Sequence, residues 1–389
     1  MKILFAADTG FYYFGNTYPG DESAVRAMSA VGARMKKADF SVINLETPFG
    51  RPEDFEPIKK SGPNLISLPE FQKYIELLAP DAVCLANNHA GDFGEAPLLH
   101  TQKALCEMGI QPFGAGADIE EAYAPAILEK DGTKIALIGV CENEFGCATE
   151  KSGGSAGFSL ARVTEAILCA KADACLPIVF FHGGNEHFAF PSPRKKELYR
   201  HFVDLGAAAV IAMHTHCPQG YEFYRGAPIV YSMGNFFFPA PDYSYGPRFA
   251  VWAYGYMTEL TFEEGKIGLE AVPYRQSFDG VELLEGEERA YFARYLAAIC
   301  RPIADDALLT RYFEAWCCKH GGFLNALSRI DPKSKTVTSD IKNLLNCEAH
   351  NELVQTLARV RFEERVDEAS VLIPDIEALQ DMRIPASLL

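Results

Sequence analysis

Hydrophobic runs typical of buried β-strands end, in five places, at side chains that can bind a metal or transfer a proton. These side chains are Asp8 after KILFAA, Glu46 after SVINL, Asn88 and His89 after DAVCLAN, His182 after PIVFF, and His214 and His216 after AAVIAM. Open α/β sheets bind ligands at the carboxyl ends of their strands, so we expect these ends to converge on one site. Carboxylates, an amide and imidazoles suit one or two divalent cations, with Mn, Fe and Zn as candidates.

Each of these residues also has an ordinary structural interpretation when it is taken alone. Asp8 could cap a helix or a turn, Glu46 could form a salt bridge in a loop, and Asn88 could stabilise a turn. His214 and His216 could be polar loop residues, or could present both imidazoles to one metal or to two neighbouring metals. Their recurrence at strand ends favours the metal interpretation.

The segment HGGNEH after the strand at 177–181 adds further polar groups. His182 is nearest the strand end and is the preferred ligand, whereas Glu186 and His187 are candidates for contacts to a substrate or to a ligand. His89, next to Asn88, could protonate a leaving group instead of binding a metal.

Residues 1 to about 275 alternate strand-like and helix-like segments, which predicts a sheet covered on both faces. The strand-like segments are 2–7, 40–45, 81–86, 134–141, 177–181, 208–213 and 228–233, and the helical ones include 22–38, 95–108, 161–173 and 193–205. After residue 225, strands at 228–236, 247–262 and 266–273 follow one another with short turns. Two packed sheets with outer helices explain this change better than a purely doubly wound fold.

From about residue 281 the spacing of apolar residues becomes helical. The predicted helices are 284–299, 303–318, 336–347 and 349–364, with a break at Pro302. We therefore expect a domain over 1–275 and a helical C-terminal region over 281–389, which would serve as a packing appendage or a surface for a partner.

The charge, the hydrophobic runs and the cysteines of the sequence argue against several classes of protein. The net charge of −16 and the lack of a basic stripe argue against nucleic acid as a partner. No apolar run reaches the ~18 residues needed to span a bilayer, and the stretch before Asp8 is too short for a signal core. Eleven cysteines at irregular spacing, without a CxxC pair, fit reduced thiols. These features predict a cytoplasmic protein, or a membrane-associated or exported one if a leader or anchor is missing, and leave its oligomeric state open.

In chain order, the polar blocks resemble the bacterial capsule synthesis CapA family, which is linked to poly-γ-glutamate capsule biosynthesis and is related to calcineurin-like metallophosphoesterases. The blocks are Asp8, Asn44-Leu45-Glu46-Thr47, Asn87-Asn88-His89, His182-Gly183-Gly184-Asn185-Glu186, Ala212-Met213-His214-Thr215-His216 and Tyr231-Ser232-Met233-Gly234-Asn235-Phe236. The resemblance covers about residues 1–275, and its last two blocks are the most specific.

The resemblance implies a four-layer, metallophosphoesterase-like sandwich of two mostly mixed β-sheets flanked by helices. It implies six metal ligands, which are Asp8, Glu46, Asn88, His182, His214 and His216. Glu46 would bridge two metals in the place of the usual Asp, His89 would be the general acid, and Asn235 would support a ligand or orient the substrate. Gly10 stands where metallophosphoesterases usually have a histidine, so one metal would lose an imidazole. His187 stands where the capsule family commonly has an aromatic residue.

Three functions are compatible with these observations. The leading hypothesis is a metal-dependent hydrolase of phosphoesterase type, in which two metals activate a water for attack on a small or polymeric anionic substrate. The alternative is a non-enzymatic, metal-binding accessory factor for capsule or polyglutamate assembly. The third is a degenerate enzyme that has lost its metals. The sequence has no phosphate-binding glycine loop, since Gly114-Ala115-Gly116 lacks the further glycine that such a loop needs.

Overall fold

The computed structural model describes residues 1–11, 21–238, 249–277, 280–331 and 333–389. The strands are β1 (Lys2–Thr9), β2 (Phe40–Leu45), β3 (Ala82–Cys84), β4 (Gln111–Phe113), β5 (Ala115–Gly116), β6 (Ala126–Lys130), β7 (Thr133–Cys141), β8 (Gly154–Ser155), β9 (Cys175–His182), β10 (Ala209–Met213), β11 (Tyr221–Tyr224), β12 (Ala227–Val230), β13 (Asn235–Phe237), β14 (Tyr254–Glu263), β15 (Lys266–Ser277) and β16 (Gly280–Leu283).

The helices of the described residues flank these strands and then continue to the C-terminus. They are α1 (Asp21–Met35), α2 (Gln72–Leu78), α3 (Glu95–Glu107), α4 (Ile119–Ala122), α5 (Leu160–Ala172), α6 (Pro193–Leu205), α7 (Gly286–Ala304), α8 (Asp306–Lys319), α9 (Leu324–Leu327), α10 (Ser339–Asn346), α11 (Glu348–Phe362), α12 (Val366–Ser370) and α13 (Ile373–Gln380). None of these helices is long and apolar enough to cross a membrane.

Two mixed sheets form the centre of the fold. The first has the order β16-β15-β14-β1-β2-β3-β4, with β13 also paired to β1, and β1 to β4 run parallel. The second has the order β11-β12-β10-β9-β7-β6, in which β7, β9, β10 and β12 run parallel and the two edge strands run antiparallel. The near-continuous apolar runs of the parallel strands are explained by burial on both faces.

Three hydrophobic clusters define the layers. Phe5 of the first sheet and Phe180 of the second meet in the cluster between the sheets, with ring centroids 5.9 Å apart. Helices α1, α2 and α3 pack on the outer face of the first sheet, and α5 and α6 pack on the outer face of the second. The predicted four-layer sandwich of two mixed sheets flanked by helices is therefore confirmed.

The chain crosses between the sheets where a single strand was expected over 228–236. Strand β12 belongs to the second sheet, whereas β13 pairs with β1 of the first sheet. Between them, Gly234 has a φ of +81° and approaches the Tyr254 carbonyl so closely that a Cβ would lie 2.8 Å from it. A glycine is needed there because of the positive φ and because of the close approach to the carbonyl. The apolar run is therefore divided at this glycine into two strands.

The C-terminal helices pack on the sandwich instead of extending away from it. Phe188 stacks on Trp316 at a centroid distance of 5.0 Å, and Phe190 contacts Tyr312 at 4.8 Å. Strand pairing continues to Leu283, beyond the residue where we expected the strands to stop. The expected break at Pro302 is also displaced, because Pro302 lies inside α7 and the break follows at Asp305, whose side chain caps α8.

Candidate metal centre and its cleft

The carboxyl ends of strands from both sheets meet at one rim. Asp8 lies in β1, Glu46 directly follows β2, His182 ends β9, and His214 directly follows β10. Asn88 lies four residues beyond β3. We call Asp8, Glu46, Asn88, His182, His214 and His216 the strand-end cluster, and all six are buried. The structure brings all six together, as the distances below describe.

One part of the cluster consists of Asp8, Glu46 and His216, whose ligand atoms all lie within 4.8 Å of one another. Nε2 of His216 lies 3.8 Å from Oε1 of Glu46. Nδ1 of His216 lies 2.7 Å from Oδ1 of Asn235, and since that oxygen can only accept, Nδ1 donates. Asn235 therefore holds Nε2 of His216 turned toward the carboxylate, which is the orientation that a metal ligand requires.

A second part of the cluster surrounds Nε2 of His182. This atom lies 2.9 Å from Oδ1 of Asn88, 3.0 Å from Nδ1 of His214 and 3.8 Å from Oε1 of Glu46. Burial, and next the neighbouring His182, lower the pKa of His214 well below its usual range. A neutral imidazole is the form that binds a metal. Glu46 is shared by the two parts of the cluster.

Glu46 tests whether these residues fit a cation. Its side chain is completely buried, and neither carboxylate oxygen has a hydrogen-bond partner among the described residues. Burial, and next the charge of Asp8, raise the pKa of Glu46 well above its usual range. When ionised, a carboxylate buried in this position needs a compensating charge, and a divalent cation shared with Asp8 and His216 would supply one. The donor set therefore fits a divalent metal.

The His-x-His segment has an unusual backbone. His214 and His216 have φ angles of +97° and +54°, in the left-handed region that residues with a side chain rarely occupy. Such conformations cost about 1–3 kcal/mol each and persist where the surroundings require them. The backbone N–H of His214 donates to Oδ2 of Asp8 at 2.9 Å, so the turn also holds the carboxylate.

His89 is held by a residue that the sequence analysis missed. Nδ1 of His89 lies 2.7 Å from Oδ2 of Asp92. Asp92 is itself buried, is paired with Nζ of Lys60 at 2.5 Å and accepts from the backbone N–H of Leu65 at 2.7 Å. The spacing of a carboxylate three residues after a histidine could have indicated this pair.

The ring of Phe238 fills the space where a side chain at position 10 would lie. A Cβ built on Gly10 would lie 2.5 Å from the ring of Phe238. The rings of Phe238 and Trp252 lie 5.4 Å and 4.8 Å from that of His216. A histidine at position 10 would clash with Phe238. The aromatic packing against His216 therefore requires a glycine where an imidazole was expected.

A cleft of about 360 Å³ adjoins the strand-end cluster. Its lining includes Lys60, Asn88, His89, Glu144, Glu186 and His187 from the sandwich, and Trp316, His320, Phe323, Asn343, His350 and Leu353 from the C-terminal helices. The sequence analysis did not single out Glu144, whose Oε1 lies 3.8 Å from Nε2 of His214. Burial, and next Glu186, raise the pKa of Glu144 to about 8.

The two remaining candidates lie at the edge of the cleft. Nε2 of His187 is 3.6 Å from Oε2 of Glu186, whose side chain is about half exposed. The ring of His187 stacks on that of His216 with centroids 6.1 Å apart, and its backbone N–H donates to the Thr215 carbonyl. His187 therefore lies against the strand-end cluster, while Glu186 faces the opening.

Similar solved structures have low sequence identity. A hypothetical protein from Thermus thermophilus has a TM-score of 0.44 and 16% identity, covering 73% of this chain and 100% of that one. A 5'-nucleotidase precursor from the same organism has a TM-score of 0.41 and 14% identity, covering 78% of this chain and 59% of that one.

Three similar sequences are named for the synthesis of a capsule, of PGA or of polyglutamine. The capsule biosynthesis protein CapA of Bacillus anthracis is 29% identical over 216 residues, which are 54% of this chain and 52% of the relative. The PGA biosynthesis protein CapA of Bacillus subtilis is 26% identical, over 52% of this chain and 54% of the relative. A probable polyglutamine synthesis accessory protein of Mycobacterium tuberculosis is 28% identical, over 51% and 55%. The chain thus spans about half the length of these relatives.

The family model described as bacterial capsule synthesis protein PGA_cap matches residues 15–240. This stretch contains all of the strand-end cluster except Asp8, and it ends just beyond the crossing from β12 to β13. The resemblance drawn from the sequence blocks is therefore confirmed. The match covers more than half of this chain, and the chain therefore belongs to the bacterial capsule synthesis protein PGA_cap family.

Proposed function

We propose that this protein is a metal-dependent hydrolase of phosphoesterase type that acts in capsule or polyglutamate biosynthesis. The observation that supports the proposal is the buried carboxylate of Glu46, which has no hydrogen-bond partner among the described residues and lies 3.8 Å from Nε2 of both His182 and His216. A purely structural carboxylate would be expected to accept hydrogen bonds or to pair with a cation.

The six residues of the strand-end cluster divide into two ligand sets that share Glu46. Asp8, Glu46 and His216 would hold one cation. Glu46 would also help to hold a second cation, together with Asn88, His182 and His214. Divalent cations, when bound there, would supply Lewis-acid polarisation of a phosphoester and a water of lowered pKa. The protein would fix the geometry, since Asn235 orients His216 and the backbone of His214 holds Asp8.

His89 is proposed as the general acid. The Asp92 carboxylate accepts from Nδ1 of His89, which leaves Nε2 to give a proton to a leaving oxygen. Burial, and next the charge of Lys60, lower the pKa of His89, so the imidazole is neutral in the free protein at pH 7. A bound phosphoester anion would favour the protonated form, because a nearby negative charge stabilises imidazolium.

The test combines elemental analysis of the purified protein with a panel of phosphomonoester, phosphodiester and γ-glutamyl substrates. We expect bound divalent metal and turnover of at least one phosphoester. His89→Ala should retain the metal and lose about 10²- to 10⁴-fold in turnover. Wild-type turnover in His89→Ala would remove His89 from the mechanism. Metal below about 0.2 equivalents after growth in supplemented medium would instead support a degenerate enzyme, because an N/O ligand set of this kind should bind tightly.

A second candidate function is a non-enzymatic role in assembling an anionic polymer. It is favoured by the M. tuberculosis relative, whose name describes a synthesis accessory protein. The net charge of −16 would repel polyglutamate unless cations bridge the two. Metal titration with and without oligo-γ-glutamate separates the functions, since saturable, metal-dependent polymer binding without turnover of any ester would favour the accessory role.

A further inference from the structure

One wall of the cleft comes from the part of the chain beyond the residues that match the family. We call Trp316, His320, Asn343 and His350 the helical wall. The first two residues lie at the end of α8, and the others lie in α10 and α11. A neighbouring pocket of about 600 Å³ shares His320, Asn343 and His350 with the cleft. The helical wall thus separates, and lines, two adjoining spaces.

Polar atoms of the helical wall are buried without hydrogen-bond partners among the described residues. They include Nε1 of Trp316, Nε2 of His320 and Oδ1 of Asn343. Nε1 of Trp316 can only donate and Oδ1 of Asn343 can only accept, while Nδ2 of Asn343 lies 3.4 Å from Oε2 of Glu144. Buried groups of this kind are rare in native proteins, and a missing ligand is one explanation for them.

The faces of the Trp316 ring are not available for stacking on a ligand. Phe188 stacks on this ring at 5.0 Å, and the ring of His320 lies 4.0 Å away. The indole therefore offers a ligand its N–H instead of its face. Together with Oδ1 of Asn343, it makes one donor and one acceptor in the same wall.

The charges around the cleft disfavour an anionic group at the helical wall. Lys60, the cation among the lining residues, is already paired with the buried Asp92. Glu186 lines the same space and would repel a carboxylate. Burial, and next Lys319, lower the pKa of His320 to about 4, so its imidazole is neutral at pH 7.

We propose that the helical wall is a binding subsite for an uncharged group that carries both a hydrogen-bond donor and an acceptor, such as a carboxamide or a hydroxyl. The subsite would hold this group on a substrate whose phosphoryl group lies at the strand-end cluster, and in that respect it rests on the proposed function. Trp316 would donate to the group, and Asn343 would accept from it.

The test uses four butylphosphonates, which are not hydrolysed as esters are, with a methyl, hydroxyl, carboxamide or carboxylate terminus. Binding to the whole chain, loaded with diamagnetic Zn²⁺, is measured by calorimetry. The chain has two tryptophans, so the indole N–H of Trp316 is also followed in a ¹H–¹⁵N spectrum and assigned by its loss in Trp316→Phe. We expect the carboxamide or hydroxyl probe to bind about tenfold more tightly than the methyl probe, and to shift the Trp316 signal.

A matched pair of variants locates the effect on α10. Asn343→Leu removes the buried acceptor of a residue that lines the cleft, whereas Asn346→Leu makes the same change at an exposed position of the same helix. The tenfold preference should disappear in Asn343→Leu and persist in Asn346→Leu. Trp316→Phe should reduce the preference independently, so a folding defect in Asn343→Leu would not leave the subsite without a test.

Three outcomes separate the subsite from the proposed function. Equal binding of all four probes, or a preference for the carboxylate, would overturn the subsite alone. If no phosphonate binds but butyramide still shifts the Trp316 signal, the proposed phosphoester site fails and the subsite stands. If neither binds, both proposals fail. The comparison of the carboxamide and hydroxyl probes identifies which group the subsite prefers.

Discussion

The cleft has two walls that differ in origin and in chemistry. The strand-end cluster consists of carboxylates, imidazoles and one amide at or shortly after the ends of strands. All of its residues except Asp8 lie in the stretch that matches the family. The helical wall is uncharged and comes from helices beyond that part. If the proposed function holds, the first wall would hold the metal, and the second could change the choice of substrate without altering the proposed ligands.

The two walls are joined by ion pairs centred on α6. Arg194 lies 3.2 Å from Glu142 at the end of β7 and 3.0 Å from Glu352 in α11. Lys195 also pairs with Glu142, at 2.8 Å. These contacts dock the helix that carries His350 onto the sheet that carries His182. The walls can therefore be perturbed separately, or through the contacts between them.

The largest effect is expected at the strand-end cluster. Glu46→Gln keeps the shape of the side chain but removes the charge shared by the two ligand sets. We expect loss of bound metal in elemental analysis and a fall in phosphoester turnover of about 10³-fold, since metal ions supply several kcal/mol of transition-state stabilisation. Glu186→Gln, at the exposed edge of the cleft, is the control and should keep its metal. Full metal content in Glu46→Gln would refute the shared-ligand role.

The contacts between the walls can be broken with Glu142→Gln. This variant leaves the buried Lys195 without its partner, which should lower the free energy of unfolding by about 3–5 kcal/mol. Urea denaturation measures the change. Glu282→Gln, which breaks an exposed pair with Arg275, should stay within about 0.5 kcal/mol of the wild type. Equal stability of the two variants would show that Glu142 does not dock the walls.

We expect the ion pairs of Glu142 to make the free energy of unfolding depend on pH. Burial acts to raise the pKa of Glu142, but Lys195 and Arg194 outweigh it and hold this pKa at about 2. Because the folded pKa is below the unfolded one, the stabilisation is complete above about pH 4.5 and is lost as the pH falls toward 2. The contribution is about 3 kcal/mol. Urea denaturation from pH 6 to 2.5 should show a shallower decline in Glu142→Gln than in the wild type.

A smaller effect is expected from the residue that orients a ligand. Asn235→Ala removes the acceptor for Nδ1 of His216, so the imidazole can turn or change its tautomer. We expect metal affinity to fall about 10- to 100-fold, as for other partners of metal-binding histidines. Calorimetric metal titration checks this. An unchanged affinity would mean that packing against Trp252 alone fixes the ring of His216.

The smallest effect concerns the packing beside the cluster. Gly10→Ala places a methyl group against the ring of Phe238, which should destabilise the fold by about 1–3 kcal/mol. Gly10→Ala combined with Phe238→Leu should recover part of the loss, measured by urea denaturation. If the double variant is no more stable than Gly10→Ala, the steric explanation for the glycine fails.

Much of the sandwich was predictable because its signals are local. Apolar runs such as those before Asp8 and His182 mark buried parallel strands, and their carboxyl ends must lie at one edge of a sheet. The prediction of one continuous strand over 228–236 was wrong. Its apolar character is continuous, and only the partners of each half show that the chain changes sheets at Gly234.

The sequence by itself determined the alternation of strands and helices and the candidate ligands, because residue type and spacing along single strands carry that information. The family and the four-layer sandwich were implied by the resemblance of the polar blocks. Only the tertiary structure decided that Phe238 fills the space beside Gly10 and that the helical wall closes the cleft. The contact between Asn343 and Glu144 joins residues 199 positions apart. Helical periodicity predicts that a segment such as α10 buries one face, but it does not specify which distant surface covers that face.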